Sequence, residues 1–457
     1  MPLILSHVAF GYPNEHELFR DVSAQVQPGE RIAIIGANGA GKSSLLRVVS
    51  GQILPTQGQV SNTLYPMGYY EDPISDRESW GQSAWRALSQ VISLRPSLLI
   101  LDEPTRHLDY RHRVFLAEWI GCLEDAAILV VSHDLAFLDQ VATHTWHLQD
   151  GGMTMAALPP RAYLRQRQED EKGYRRRYRD QQETLRRLEQ DIHGTKEQAR
   201  HSERLTHDST QRRYAKKVAK KAKAREKRLD HWKSSAAFLD APRVPHQLRF
   251  VWDHVAHVSG RLIHLENVSC GWTAPVLEGL YLAVVAGERI GIMGDNGSGK
   301  SSLLEVLSGS FPGWVSGRVH TSARIGMVSQ VFQVGPDVSV WGYFRKRSVL
   351  SEGYGRAWLQ AYGFSENHLP RPAMDLSHGE KVKLEVASLA AEGVPLMMLD
   401  ELEHHLDWPS LESIVEGLKG YPGTLLVVSH QPEFLAKLGM TKRWSVKQGQ
   451  VAEEPWT

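Results

Sequence analysis

Apolar positions along the chain fall into two kinds of run. Short continuous ones read as buried strands: LLILD ending at Asp102, LMMLD ending at Asp400, and two LVVS runs ahead of His133 and His430. Elsewhere apolar residues are sparse and recur at helical spacing. Tyr174, Tyr178, Leu185, Leu188 and Ile192 fall near one face, and Tyr214, Val218, Ala222, Leu229 and Trp232 near another. Between these stripes lies HSERLTHDST, where Asp208, Ser209 and Thr210 suit a helix N-cap, so the pattern predicts a helical hairpin bending near residues 201–211. No apolar run reaches the ~18 residues that a membrane span needs, and the start MPLILSHVAF lacks the basic front and long apolar core of a secretory signal.

Charge gives the hairpin a meaning. The 457 residues carry 53 Lys+Arg against 52 Asp+Glu, a balance that argues against a nucleic-acid partner until it is divided by position. Residues 161–240 hold 24 basic and 13 acidic side chains, an excess of +11, which leaves −10 for the rest. The densest stretch, RRYAKKVAKKAKAREKR from Arg212 to Arg228, has ten basic residues and one acidic, Glu226. Such a stretch reads as a solvated spacer, a disordered segment or a polyanion-binding surface, and its concentration near the hairpin tip favours the last. The length calls for more than one core. Two cysteines, Cys122 and Cys270, exclude a disulfide framework or Cys-rich zinc site and point to a reducing, cytoplasmic setting.

The flanks of the hairpin repeat one another. GERIAIIGANGAGKSSLLRVVSG answers to GERIGIMGDNGSGKSSLLEVLSG, and LLILDEPTRHLD to LMMLDELEHHLD. Each copy carries G-x-x-x-x-G-K-S after a β-rich run: Gly36, Asn38, Gly39, Gly41, Lys42, Ser43 and Ser44, then Gly294, Asn296, Gly297, Gly299, Lys300, Ser301 and Ser302. Glycines let backbone N–H groups turn toward a phosphate, the lysine reaches the β and γ oxygens, and the first serine suits Mg²⁺. Asp102 and Asp400, at strand ends, are the second pair of candidate Mg²⁺ ligands. Glu103 and Glu401 are candidate general bases for an attacking water, and His133 and His430 candidate γ-phosphate sensors. Tyr12 and Trp272, each in a short turn ahead of a phosphate loop, are candidates to stack on adenine.

Together these elements resemble the ATP-binding cassette superfamily. Its L-S-G-G-E/Q signature appears as Leu376-Ser377-His378-Gly379-Glu380, so Ser377 and Gly379 are expected to cap a γ-phosphate bound by the other cassette. Two cassettes on one chain with a charged helical linker resemble the ABC-F family, whose DEPTNHLD is matched by DEPTRHLD with Arg106 for Asn. The resemblance implies an α/β fold of two P-loop NTPase ATP-binding cassette domains (1–157 and 246–457) joined by a basic α-helical hairpin linker (158–245). It also implies ATP and Mg²⁺ as cofactors, cassettes pairing within one monomeric chain, and the ribosome (rRNA and tRNA) as partner of the linker, without membrane insertion.

The copies differ. Lys42 to Asp102 spans 60 residues but Lys300 to Asp400 spans 100, and the shortfall falls where the family has its helical subdomain. Gln330, expected near Mg²⁺ and water, has Asp72 as its counterpart. Ser79 and Gly81 keep part of a signature in which Trp80 replaces a glycine. One composite site therefore pairs Lys42, Ser43, Asp102, Glu103 and His133 with Ser377 and Gly379. The other pairs Lys300, Ser301, Gln330, Asp400, Glu401 and His430 with Ser79 and Gly81. The first is expected to hydrolyse ATP and the second mainly to hold it. The pattern offers no reason for Leu402 and Glu403 in DELEHHLD. The ending VAEEPWT leads to the expectation that the basic C-terminal domain of some relatives is missing. Competing readings are an ATPase subunit of a transporter with separate membrane partners, and a slow nucleotide-switched scaffold on DNA or RNA.

Overall fold

The computed structural model describes all residues except 1, 14–15, 72–79, 107, 109, 206–208, 236–237, 243–249, 330–331, 333, 407 and 457. The chain divides into two compact units, residues 1–161 with 247–457, and residues 162–246.

In the first copy, β1 (Leu3–Phe10) and β2 (Phe19–Val26) precede β3 (Arg31–Gly36), α1 (Lys42–Val49), β4 (Gln57–Ser61) and β5 (Met67–Glu71). Then come α2 (Trp80–Ser93), β6 (Leu98–Asp102), α3 (Tyr110–Gly121), β7 (Ala127–Val131), α4 (Leu135–Val141), β8 (His144–Gln149) and β9 (Gly152–Ala156). The order β5-β6-β7-β3-β8-β9 forms a sheet, parallel except for the β8–β9 hairpin. An antiparallel sheet, β2-β1-β4, accompanies it. All five residues of β6 and of β7 are buried, as continuous apolar runs in a parallel sheet covered on both faces should be. One core joins the sheets and α1, through Phe19, Ile32, Leu45, Leu46, Ile100 and Leu129.

The hairpin is α5 (Pro160–Leu205) and α6 (Ser209–Lys233). Ser209 and Thr210 thus begin α6, and Asp208 lies outside the described residues. Ile192, Ala222 and Leu229 are buried, but Leu188, expected on the apolar face, is 41% exposed. Two helices alone cover only a narrow seam, and Gln181 occupies part of it, exchanging hydrogen bonds with the Leu239 backbone at 2.8 and 2.9 Å. Lys196–Glu226, Arg225–Asp191 and Lys233–Glu189 pairs at 2.7–2.8 Å join the helices. Lys217, Lys220, Lys221, Lys223, Lys227 and Arg228 stay exposed on α6.

The second copy repeats the plan with β10 (Arg261–Gly271), β11 (Pro275–Val285), β12 (Arg289–Gly294), α7 (Lys300–Ser308), β13 (Trp314–Thr321) and β14 (Ile325–Val328). It then inserts α8 (Val340–Arg347) and α9 (Glu352–Ala361) before α10 (His378–Glu392). It closes with β15 (Leu396–Asp400), α11 (Trp408–Lys419), β16 (Thr424–Val428), α12 (Pro432–Lys437), β17 (Lys442–Lys447) and β18 (Gln450–Pro455). Its sheets, β14-β15-β16-β12-β17-β18 and β11-β10-β13, have the same order as those of the first copy. Phe344, Trp358 and Leu359 of the inserted helices share one core with Leu384 of α10 and with Met397, Leu399 and Val427 of the sheet, whereas between β5 and β6 the first copy has α2 alone among the described residues. No helix among them is long and apolar enough to cross a membrane.

Candidate functional site

Each phosphate loop closes a strand and opens a helix. Gly41 and Gly299 precede α1 and α7 at φ of 94° and 101°, in the left-handed region that glycine enters without steric cost. At Gly36 and Gly294 a side chain is excluded, since a Cβ would stand 2.4 Å from the carbonyl oxygen of Leu148 or Val446. Lys42 Nζ donates to the carbonyls of Gly36 and Ala37 at 2.9 and 3.0 Å, and Lys300 Nζ to those of Gly294 and Asp295 at 3.1 and 3.0 Å. Both ammonium groups thus lie over their loops. Asn38 and Gly39, like Asn296 and Gly297, form the loop crests, while Ser43, Ser44, Ser301 and Ser302 lie in the first helical turns.

The strand-end carboxylates suit a cation. Ser43 bonds Asp102 and Ser301 bonds Asp400, yet Oδ1 of each aspartate is buried without a hydrogen-bond partner. Burial pushes both carboxyls up to about 6; the serine bonds and neighbouring Glu103 or Glu401 act on this in opposite senses. A hydroxyl beside an incompletely bonded carboxylate is the oxygen donor set that Mg²⁺ takes, so these four residues fit the ion.

Glu103 and Glu401 are held at positive φ, 50° and 47°, and their N–H groups bond Val131 and Val428 of the neighbouring strand at 2.9 and 3.0 Å. That strained backbone aims each carboxylate at the next loop. Glu103 Oε1 lies 3.1 Å from His133 Nε2, and its Oε2 accepts the His133 N–H at 3.2 Å. Glu401 Oε1 lies 2.9 Å from His430 Nε2 and 3.9 Å from Lys300 Nζ. Burial holds the His430 imidazole below its usual range, opposed by Glu401.

In the second copy the His430 N–H bonds Glu403 Oε1 instead, at 3.2 Å, and the Ser429 hydroxyl donates to the same oxygen. The first copy has Thr105 there, its hydroxyl 2.6 Å from that of Ser132. Sequence reasoning noticed Glu403 only as a departure; its partners lie 26 and 27 positions away and leave no local signal.

Ser377 caps α10 in a capping box, its N–H bonding Glu380 Oε2 at 2.9 Å. Gly379 lies one residue inside that helix. His378 titrates below its usual range because of burial, then Lys381, then Arg106 of the first copy, which sets the second copy's signature within electrostatic reach of the first copy's strand-end loop. Gly81 lies in the first turn of α2, and Ser79, Asp72 and Gln330 are outside the described residues. Tyr12 meets Phe10 edge-on at 5.1 Å with its hydroxyl 3.3 Å from Ser44 Oγ, and the half-exposed Trp272 leans on Phe311 at 5.2 Å. The Tyr12 ring thus flanks its loop.

The copies also touch. Arg161 joins Asp139 at 3.0 Å to Glu433, and a cavity of about 130 Å³ is lined by His133, Leu135 and Ala136 on one side and Gln431 and Phe434 on the other.

A family model described as ABC transporter matches residues 19–78 and 277–403. The chain is 30% identical to the ribosome protection protein VmlR of Bacillus subtilis (strain 168), over 94% of this chain and 84% of that protein. It is 27% identical to the erythromycin resistance ATP-binding protein MsrA of Staphylococcus epidermidis, over 91% and 92% respectively. Among solved structures, an archaeal ribosome recycling factor, aABCE1, in complex with the ribosomal stalk protein aP1, superposes with a TM-score of 0.61 at 17% identity, over 97% of this chain and 88% of that one. That likeness speaks for the tandem-cassette fold.

Proposed function

The chain belongs to the ABC-F family of tandem ATP-binding cassette proteins and is an ATPase, and on that footing we propose that it acts on the ribosome in the cytoplasm, as a translation or ribosome-protection factor. The observation that carries this reading is the joining of two phosphate-loop and Glu–His sites to a hairpin with exposed cations along α6, Lys217, Lys220, Lys221, Lys223, Lys227 and Arg228 among them. An ATPase subunit serving membrane partners would have no use for that face. Phosphate-rich RNA would, since each cation paired with a phosphate releases counterions.

In this reading the chain divides at 1–157, 158–245 and 246–457, and ATP draws the cassettes together within one monomer, setting the linker against rRNA and tRNA. Tyr12 and Trp272 stack on adenine, and Lys42 and Lys300 leave their loop carbonyls for the β and γ oxygens. Ser43 with Asp102, and Ser301 with Asp400, hold Mg²⁺, which neutralises phosphate charge when bound. Glu103 orients and deprotonates the attacking water while His133 contacts the γ-phosphate. Ser377 and Gly379 complete this first site. The second, completed by Ser79 and Gly81, retains ATP longer than it cleaves it.

The test is co-sedimentation with ribosomes of the Glu103→Gln, Glu401→Gln double variant. ATP-dependent binding that weakens steeply with salt is expected. Binding to free DNA alone, or recovery with membranes, would sink the ribosome reading in favour of a scaffold or a transporter subunit.

A further inference from the structure

Glu403 is 2% exposed, three residues beyond the strand-end aspartate, and its Oε2 has no hydrogen-bond partner. Its Oε1 takes the His430 N–H that, in the first copy, the catalytic glutamate takes for itself. Glu401 is thereby left to the His430 imidazole and to Lys300. A carboxylate so enclosed is costly unless a counter-charge lies within reach.

The other copy holds a buried cation with an unused donor. Arg113 of α3 is buried; its Nε donates to the Leu108 carbonyl at 2.8 Å and its Nη1 to Asp134 at 3.1 Å, whereas Nη2 has no partner. Asp134 follows His133, and His133 and Gln431, the residue after His430, line one cavity. Burial pushes the Glu403 carboxyl up to about 7, the Ser429 bond opposes this, and Arg113 acts in the same sense as that bond. Arg113 also disfavours a charge on His430, so both residues of the second copy feel it.

We propose that Glu403 is a positioning residue of the second nucleotide site that holds the His430 backbone, with Arg113 of the first cassette as its counter-charge, so that recognition of the γ-phosphate there depends on the apposed cassettes. The inference rests on the reading that the second site binds ATP and that His430 contacts its γ-phosphate.

The test uses the full chain carrying Lys42→Ala, which silences the first loop, titrated with fluorescent mant-ATP and mant-ADP in the presence of Mg²⁺. Glu403→Thr, which installs the first copy's residue, should lower the preference for ATP over ADP by about fivefold, the weight of one hydrogen bond, with ADP affinity held within about twofold. Glu403→Gln keeps the oxygen acceptor and should retain the preference. Arg113→Met should lower it in the Glu403 chain but not in the Glu403→Gln background. An unchanged ratio in Glu403→Thr overturns the positioning role, and equal Arg113→Met effects in both backgrounds overturn the pairing. Should Glu403→Thr fail to fold, the Arg113 cycle decides alone. Failure of the parent Lys42→Ala chain to bind either nucleotide overturns the two-site reading and this inference together, whereas a parent that binds isolates the inference.

Discussion

The Glu–His pairs of the two cassettes are separated by nearly the same distance, 3.1 and 2.9 Å, yet they are held differently. Glu103 grips both the imidazole and the backbone of His133, and behind it two hydroxyls close the gap. Glu401 shares its histidine with a second carboxylate and faces the phosphate-loop lysine. Matching Glu and His letters therefore do not make matching sites, because the residue two positions beyond the glutamate decides which acceptor holds the histidine backbone. The first arrangement ties Glu103 to both the ring and the backbone of His133; the second divides those two contacts between Glu401 and Glu403.

The comparison breaks most easily at the bases. Glu103→Gln should lower steady-state phosphate release about 100-fold, the scale of a lost general base, while Glu401→Gln changes it by less than about threefold. Equal losses would remove the functional contrast. A second difference is the helical insert, where Glu385 of α10 is buried 3.3 Å from the Tyr343 hydroxyl. Burial pushes its carboxyl up to about 7, against Arg347 and the tyrosine bond. The folded state then binds this proton more tightly than the unfolded chain, so stability from the protonated form is present below the usual glutamate range and is lost as pH rises to about 7. Glu385→Gln should flatten that decline by about 1–3 kcal/mol between pH 5 and 8, read from denaturant melts. An unaltered slope would show that the insert carries no such burden. The smallest expected effect is Ser377→Ala, which removes the α10 cap at a cost of about 1 kcal/mol in stability. It should also slow the turnover that depends on Glu103 more than any residual turnover in the Glu103→Gln chain, and a uniform slowing would detach the signature from the first site.

Much of this was legible in the residues because it is local. The loops, the strand-end Asp-Glu pairs and the hairpin rest on spacings within a few turns or one strand, and the missing insert shows as a length difference between two copies. Contacts that join distant segments were not legible. Glu403 reads as an unexplained letter until Ser429 and the His430 backbone are brought beside it. Leu188 fits a helical stripe by spacing, but a two-helix seam is too narrow to bury every position on that stripe. Arg161 looks like one more cation of a basic segment, yet it pairs with Asp139 and Glu433.

The 46 residues of α5 also amount to a lever. At the helical rise it is about 69 Å long, so turning its foot by about 5° displaces the far end by about 6 Å, twice the length of a hydrogen bond. Arg161 stands at that foot, gripping the helices that follow His133 and His430. A shift at those two ion pairs too small to break either of them is thus large enough, at the other end of the rod, to carry its side chains beyond the reach of any single hydrogen bond.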